Sequence, residues 1–333
     1  MAGLSDFGVR DFGNVLEEAG ACRSGCVLFD FSFMSCARIS GPGSRECIEG
    51  LQSRPVTGMQ PGEIRYGVCV GGTRAVRSDV TVWCMDTDSY EVYSGLRADI
   101  ERAVSMASES TGVMDLSCET FVFSVQGPSA LRSLGEFGDT ANLGQLPYFR
   151  HREISLAGVA CRIGRLGYTG ERGFEIVVTG DAEADALYTA LAGKIRPAGL
   201  DAADILRTEA GYLLFCNDCR LGCNSHELGL GRFDAEQPVR RRYRRVFFHS
   251  DRLALDSPYS APQSVASPAS GQILVTSASR SVVYGGTVGM GLVLASDPPA
   301  TRFGADVLGI ERVRTVRNRP LFDPDKRIAR GNW

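Results

Sequence analysis

The chain has 333 residues, 44 % apolar and 23 % charged, with 39 glycines; this suits two or three packed domains rich in tight turns and excludes a peptide, a coiled-coil strut or a largely disordered chain. A formal net charge of −3 supplies no general attraction for phosphodiester backbones or acidic lipid, so nucleic acid is not the expected partner. No run of about 18 apolar residues occurs and the opening MAGLSDFGVRDFG lacks the order of a secretory signal, so a cytoplasmic protein with no membrane span is expected.

Taken along the chain, ARISG (37–41) predicts a strand and SRECIEGLQS (44–53) a helix. VTVWCM (80–85) is a strand, GLRADIERAVSMA (95–107) a helix, TFVFSV (120–125) a strand and PSALRSLGEF (128–137) a helix. Strands follow at VACRIG (159–164) and FEIVV (174–178), then a helix at 181–195 that stops before Arg196-Pro197. Beyond about residue 233 the composition turns basic, then Ser- and Pro-rich, and a small C-terminal β domain is expected. Strands and helices mixed irregularly indicate α+β rather than a doubly wound parallel sheet. The eleven cysteines read as buried small hydrophobes in a reducing compartment.

The run GRLGYTGERGFEIVV (164–178) resembles the glycine-cleavage T-protein, or aminomethyltransferase, superfamily. LFDFSFM (28–34), ISGPGS (39–44), PGEIRY (61–66), VQGPSA (125–130), GLDAADILRTEAGYLLFCND (199–218), HELGLGRF (226–233), GQILVTSAS (271–279) and PLFDP (320–324) extend the likeness over most of the chain. The resemblance implies a three-domain cloverleaf: antiparallel, ferredoxin-like sheet domains at 1–50 plus 115–205 and 51–114 plus 206–233, and a β-barrel-like domain at 234–333. It also implies tetrahydrofolate as cofactor and transfer of a methyl or aminomethyl unit between folate and a small molecule. HELGLGRF and PLFDP look more like the family's folate-dependent demethylases. A non-catalytic folate-binding accessory protein is the alternative, and any partner protein is unknown.

A carboxylate can accept the two N–H groups on one edge of a reduced pterin. Glu209, in RTEAGY, matches the family's pterin-binding glutamate, against the reading of an exposed helical acid. A carboxylate can also move a proton or stabilise positive charge at a reacting nitrogen. In RAVRSDVTV (74–82) the resemblance gives that role to Asp79, with Ser78 where a second aspartate usually stands; the competing reading is a solvated acid beside a strand. Met34 and Tyr168 fall where walls would flank the pterin, or are ordinary core. Arg240 and Arg241, with Arg242, would hold folate's glutamate tail, or guard a strand edge. Glu171 and Glu175 read as structural, capping the GYTGE turn and pairing with arginine across a seam. A family asparagine near folate is replaced here by Gly95. Cys216, Cys219, Cys223 and His226 form C-x2-C-x3-C-x2-H, too compact for the usual zinc pairs, so no metal is expected.

Overall fold

The computed structural model describes residues 8–235, 240–251, 255–262, 264–298, 303–304 and 315–333; parts of the expected C-terminal unit, 305–314 among them, lie outside the described residues. The first helix is α1 (Val15–Ser24), started by Asn14, whose side-chain oxygen accepts from the N–H groups of Leu16 and Glu17 at 3.2 Å. That satisfies donors which a helix start leaves orphaned. Next come β1 (Val27–Asp30), β2 (Ser35–Ser40) and α2 (Ser44–Leu51). A meander follows, of β3 (Ile64–Val70), β4 (Val76–Asp86) and β5 (Ser89–Ser94). Beyond it are α3 (Arg97–Ser105), β6 (Gly112–Asp115), β7 (Thr120–Gln126) and the short α4 (Ala130–Leu134).

A second meander, β8 (His151–Leu156), β9 (Val159–Gly164) and β10 (Gly173–Thr179), precedes α5 (Asp181–Ala192), which ends before Arg196-Pro197. α6 (Leu200–Ala210) closes on Gly211 at φ +72°, a left-handed cap that favours glycine. It is followed by α7 (Phe215–Asp218). The last part holds β11 (Tyr243–Ser250), β12 (Tyr259–Ser260), β13 (Leu274–Arg280), β14 (Thr287–Leu294), β15 (Thr315–Arg317) and α8 (Arg327–Arg330).

Hydrogen bonding sorts the strands into three five-stranded sheets, ordered β1-β7-β10-β9-β8, β3-β4-β5-β2-β6 and β12-β13-β14-β11-β15. Every pairing within them is antiparallel, as the expected α+β class requires. The sheets divide the chain differently from the expected boundary at residue 50. β2 pairs with β5 and β6, and its Ala37 and Ile39 are buried with Val80, Val82 and Val92. Residues 35–40 therefore belong with the second sheet, not the first, because their inward-facing side chains have their apolar partners there.

Helix α6 runs through the middle of this arrangement. Every residue from Ala202 to Ala210 is buried, so the helix has no solvated face. Its Arg207, fully buried, donates to Asp204 at 2.5 Å, to Asp218 of α7 at 2.7 Å and to Ser277 of β13 at 2.8 Å, which offsets the cost of burying a guanidinium. The first and second sheets meet at Glu91 of β5, bracketed by Arg38 and by Arg162 of β9, while the Tyr93 hydroxyl donates to it at 2.6 Å. Among the described residues no helix is long and apolar enough to cross a membrane.

Candidate functional site

Elements of all three sheets and of α6 border one cavity of about 490 Å³. Its walls are aromatic. Tyr66 of β3 meets Phe233 edge-on with centroids 4.8 Å apart, and Tyr168 stacks on Tyr212 at 6.0 Å; Phe31, Tyr93, Tyr148 and Phe215 add further rings. The Tyr168 hydroxyl donates to the Leu213 carbonyl at 2.6 Å, which fixes the ring in place. Its loop can reach there because residue 167 is glycine: a Cβ would lie 2.1 Å from the Gln126 side chain.

Two carboxylates line this space, one from each of the first two sheets. Asp79 sits on β4, opposite Val68, and alternation along the strand puts Asp79 in the lining and Ser78 in the buried interior behind it. Burial pushes the Asp79 carboxyl up to about 6; a hydrogen bond from the Tyr66 hydroxyl acts the other way, and nearby Asp99 adds to the rise. Glu175 sits on β10 between Ser124 of β7 and Gly164 of β9. Among the described residues nothing bonds to it, and burial alone pushes it up to about 7.

Five cations share the lining: Arg54, Arg232, Arg245, Lys326 and Arg330. The Arg232 guanidinium lies 4.5 Å from the Phe233 ring, and Lys326 Nζ lies 4.6 Å from the Tyr212 ring while donating to the Ala210 carbonyl. Burial brings the Lys326 amine down to about 8.

Of the expected site residues, Asp79, Met34 and Tyr168 meet in the cavity lining. Glu209 does not, and its placement corrects the expectation that it faces a pterin. Its side chain is fully buried, and both oxygens are taken. Oε1 accepts from Ser281 Oγ at 2.6 Å and the Val282 N–H at 2.8 Å, and Oε2 accepts from Arg23 Nη2 at 2.8 Å. Arg23 also donates to Glu171 at 3.0 Å and lies 3.8 Å from the Phe322 ring, so Glu171 pairs with an arginine of α1. Arg240 and Arg241 are exposed and lie outside the lining, and Arg242 is committed to Glu227 at 3.3 Å.

Glu175, expected to be structural, stands in the cavity wall, as do Arg232, Lys326 and Arg330, which are not among the expected site residues. Glu175 follows Phe174 in the quoted GYTGERGFE run, and only its strand pairing tells which of the two faces the cavity. At Gly95, also in the lining, a Cβ would lie 3.3 Å from the Phe215 ring and 3.9 Å from Phe33; two phenyl rings fill the place of the missing side chain. Among the described residues Cys216, Cys219, Cys223 and His226 do not gather into a group of three or more metal ligands, and all eleven cysteines are unpaired.

Residues 7–235 match the family described as the GCVT N-terminal domain. The chain belongs to the aminomethyltransferase, or T-protein, superfamily. It is 29 % identical over 239 residues to an aminomethyltransferase of Halothermothrix orenii, covering 69 % of this chain and 67 % of that one. It is 30 % identical over 224 residues to one from Synechococcus sp. strain RCC307, covering 66 % and 62 %. The chain thus spans about two thirds of the length of these curated relatives. A crystal structure of glycine cleavage system aminomethyltransferase T from Bartonella henselae superposes with a TM-score of 0.72 at 21 % identity, over 93 % of this chain and 92 % of that one, so the superfamily fold extends beyond the matched N-terminal part.

Proposed function

We propose that this chain is a tetrahydrofolate-dependent transferase that moves a methyl or aminomethyl unit between folate and a small molecule, its three sheets forming cloverleaf lobes around the site. The observation that carries the reading is an unpaired carboxylate, Glu175, half-buried in the wall of the same aromatic cavity as Asp79. Burying an acid without a partner is costly, and a ligand edge bearing two N–H donors would remove that cost. The aromatic walls and the thioether of Met34 suit a flat pteridine and its benzoyl ring, so the residues present fit the cofactor. Tetrahydrofolate would supply the nitrogen that takes or gives the one-carbon unit.

On this reading Glu175 accepts from the amine and ring N–H of the pterin, in the place expected for Glu209. Tyr168 and Tyr212 fix the plane of the bound ring. Asp79 takes the proton from, or stabilises positive charge at, the reacting nitrogen. Arg232 and Arg330 are not hydrogen-bonded or ion-paired to any described residue and line the cavity; they receive the carboxylate tail instead of Arg240 and Arg241. The names of the relatives favour an aminomethyl unit as cargo.

Calorimetry with tetrahydrofolate tests the assignment. Glu175→Gln is expected to raise Kd at least about tenfold, the size of a lost charge-assisted pair; unchanged affinity overturns the pterin contact. The pH dependence has a definite sign. The ionised form of Glu175 accepts the hydrogen bonds, whereas burial favours the neutral form up to about pH 7. Binding below pH 7 must therefore release a proton, and Kd should rise about tenfold from the alkaline plateau to pH 6. Titrations in two buffers of different ionisation enthalpy read that proton directly. Tight binding with no turnover of any methylated or aminomethyl donor would favour the accessory role.

A further inference from the structure

Strand β10 carries Phe174 and Glu175 side by side, and adjacent residues of a strand face opposite sides of its sheet. Glu175 faces the cavity, while Phe174 is fully buried in the core between that sheet and α5. The segment 323–333 reaches both sides. It begins at Asp323, whose carboxylate accepts from the N–H groups of Arg327 and Ile328 at 2.8 Å and so starts α8. Lys326 is tied to the Ala210 carbonyl, and Arg330 lines the cavity. Three residues later the Trp333 indole stacks on Phe174, centroids 5.1 Å apart and planes 9° from parallel. Arg165 and Arg172 lie 5.7 Å and 6.0 Å from the indole, and Arg165 also donates to the Gly331 and Leu146 carbonyls. The segment therefore hooks round the start of β10, with a cation on the cavity side and an aromatic anchor on the far side.

We propose that Trp333 is a positioning residue: its stack on Phe174 fixes the tail so that Arg330 faces the cavity, and ligand affinity depends on a side chain that touches no ligand. Arg330 is exposed and stands in the lining with no hydrogen-bond or ion-pair partner among the described residues. A guanidinium with no acceptor among the described residues has nothing local to define its place, and the backbone that carries it is held on either side, by Lys326 and by Trp333. The indole Nε1 is buried without a hydrogen-bond partner, so the anchor works through ring contact and phenylalanine can replace it. This rests on the folate reading for the identity of the ligand, but not for the latch itself.

The test compares Trp333→Ala and Trp333→Phe in the full chain, by calorimetry with tetrahydrofolate and by trypsin with intact-mass detection of cleavage after Arg330. Trp333→Ala is expected to raise Kd about tenfold and to open the Arg330–Gly331 bond to trypsin, while Trp333→Phe stays within about twofold and remains protected. In an Arg330→Gln background, Trp333→Ala should change Kd by less than about twofold, since two residues acting through one contact are not additive. A full tenfold effect persisting in that background overturns positioning of Arg330, and equal cleavage of wild type and Trp333→Ala overturns the latch. If wild-type protein binds no tetrahydrofolate, the functional reading fails by itself and the trypsin comparison alone decides the latch.

Discussion

Asp79→Asn is expected to cut one-carbon turnover by about 10²–10⁴-fold while leaving the Kd for tetrahydrofolate within about threefold. Asparagine keeps the size of the side chain and an oxygen for the Tyr66 hydroxyl, so the cavity wall is retained. What it loses is the negative charge and the basicity. In the wild type the same carboxyl, pushed up to about 6, must be ionised to act, so at saturating tetrahydrofolate turnover should climb as pH passes from 5 to 7, and the asparagine variant should lack that rise. The measurement is mass spectrometry of folate species after single turnover with a panel of methylated and aminomethylated donors. An undiminished rate would move the chemistry to another group; a collapse of binding together with rate would make Asp79 a cofactor contact only.

The second large effect is on stability. Glu209→Ala leaves Arg23 with Glu171 and the Thr169 carbonyl, but strands the Ser281 hydroxyl and the Val282 N–H in the interior. Removing one partner from a buried ion pair costs about 3–5 kcal/mol, and the surviving Glu171 contact argues for the lower end. Urea unfolding should show the free energy of unfolding lowered by that amount, read as an earlier midpoint at constant slope. The folded fraction should bind tetrahydrofolate with wild-type affinity. A variant with normal stability and lost affinity would return Glu209 to the ligand.

Much of the architecture is legible in the residues. Short β-branched or aromatic runs mark β2, β4, β7, β9 and β10, and α5 falls within the expected helix but ends at Ala192 on Gly193, short of the RP pair. The site is less legible, and the two glutamates show why. RTEAG gives Glu209 a helical setting, but α6 is buried on every side, so helical periodicity has no solvated face against which to place it. Glu175 belongs to a strand with both faces covered by protein, where a run such as FEIVV carries no polar-apolar alternation to reveal which neighbour looks into a cavity. Arginine runs mislead in the opposite sense: Arg240 and Arg241 stand out by density, yet the cations in the cavity are scattered at 54, 232, 245, 326 and 330. Their convergence is a property of chain path alone.

Helix α6 has a mechanical consequence. Through Arg207 and Glu209 it bonds α1, α7, β13 and the turn after β13, so the elements it joins cannot be separated from it without exposing charges that are neutralised only when all are in place. Denaturation should pass through one sharp, shared transition monitored identically by Trp83 and Trp333, and an excised lobe expressed alone should fail to hold its shape.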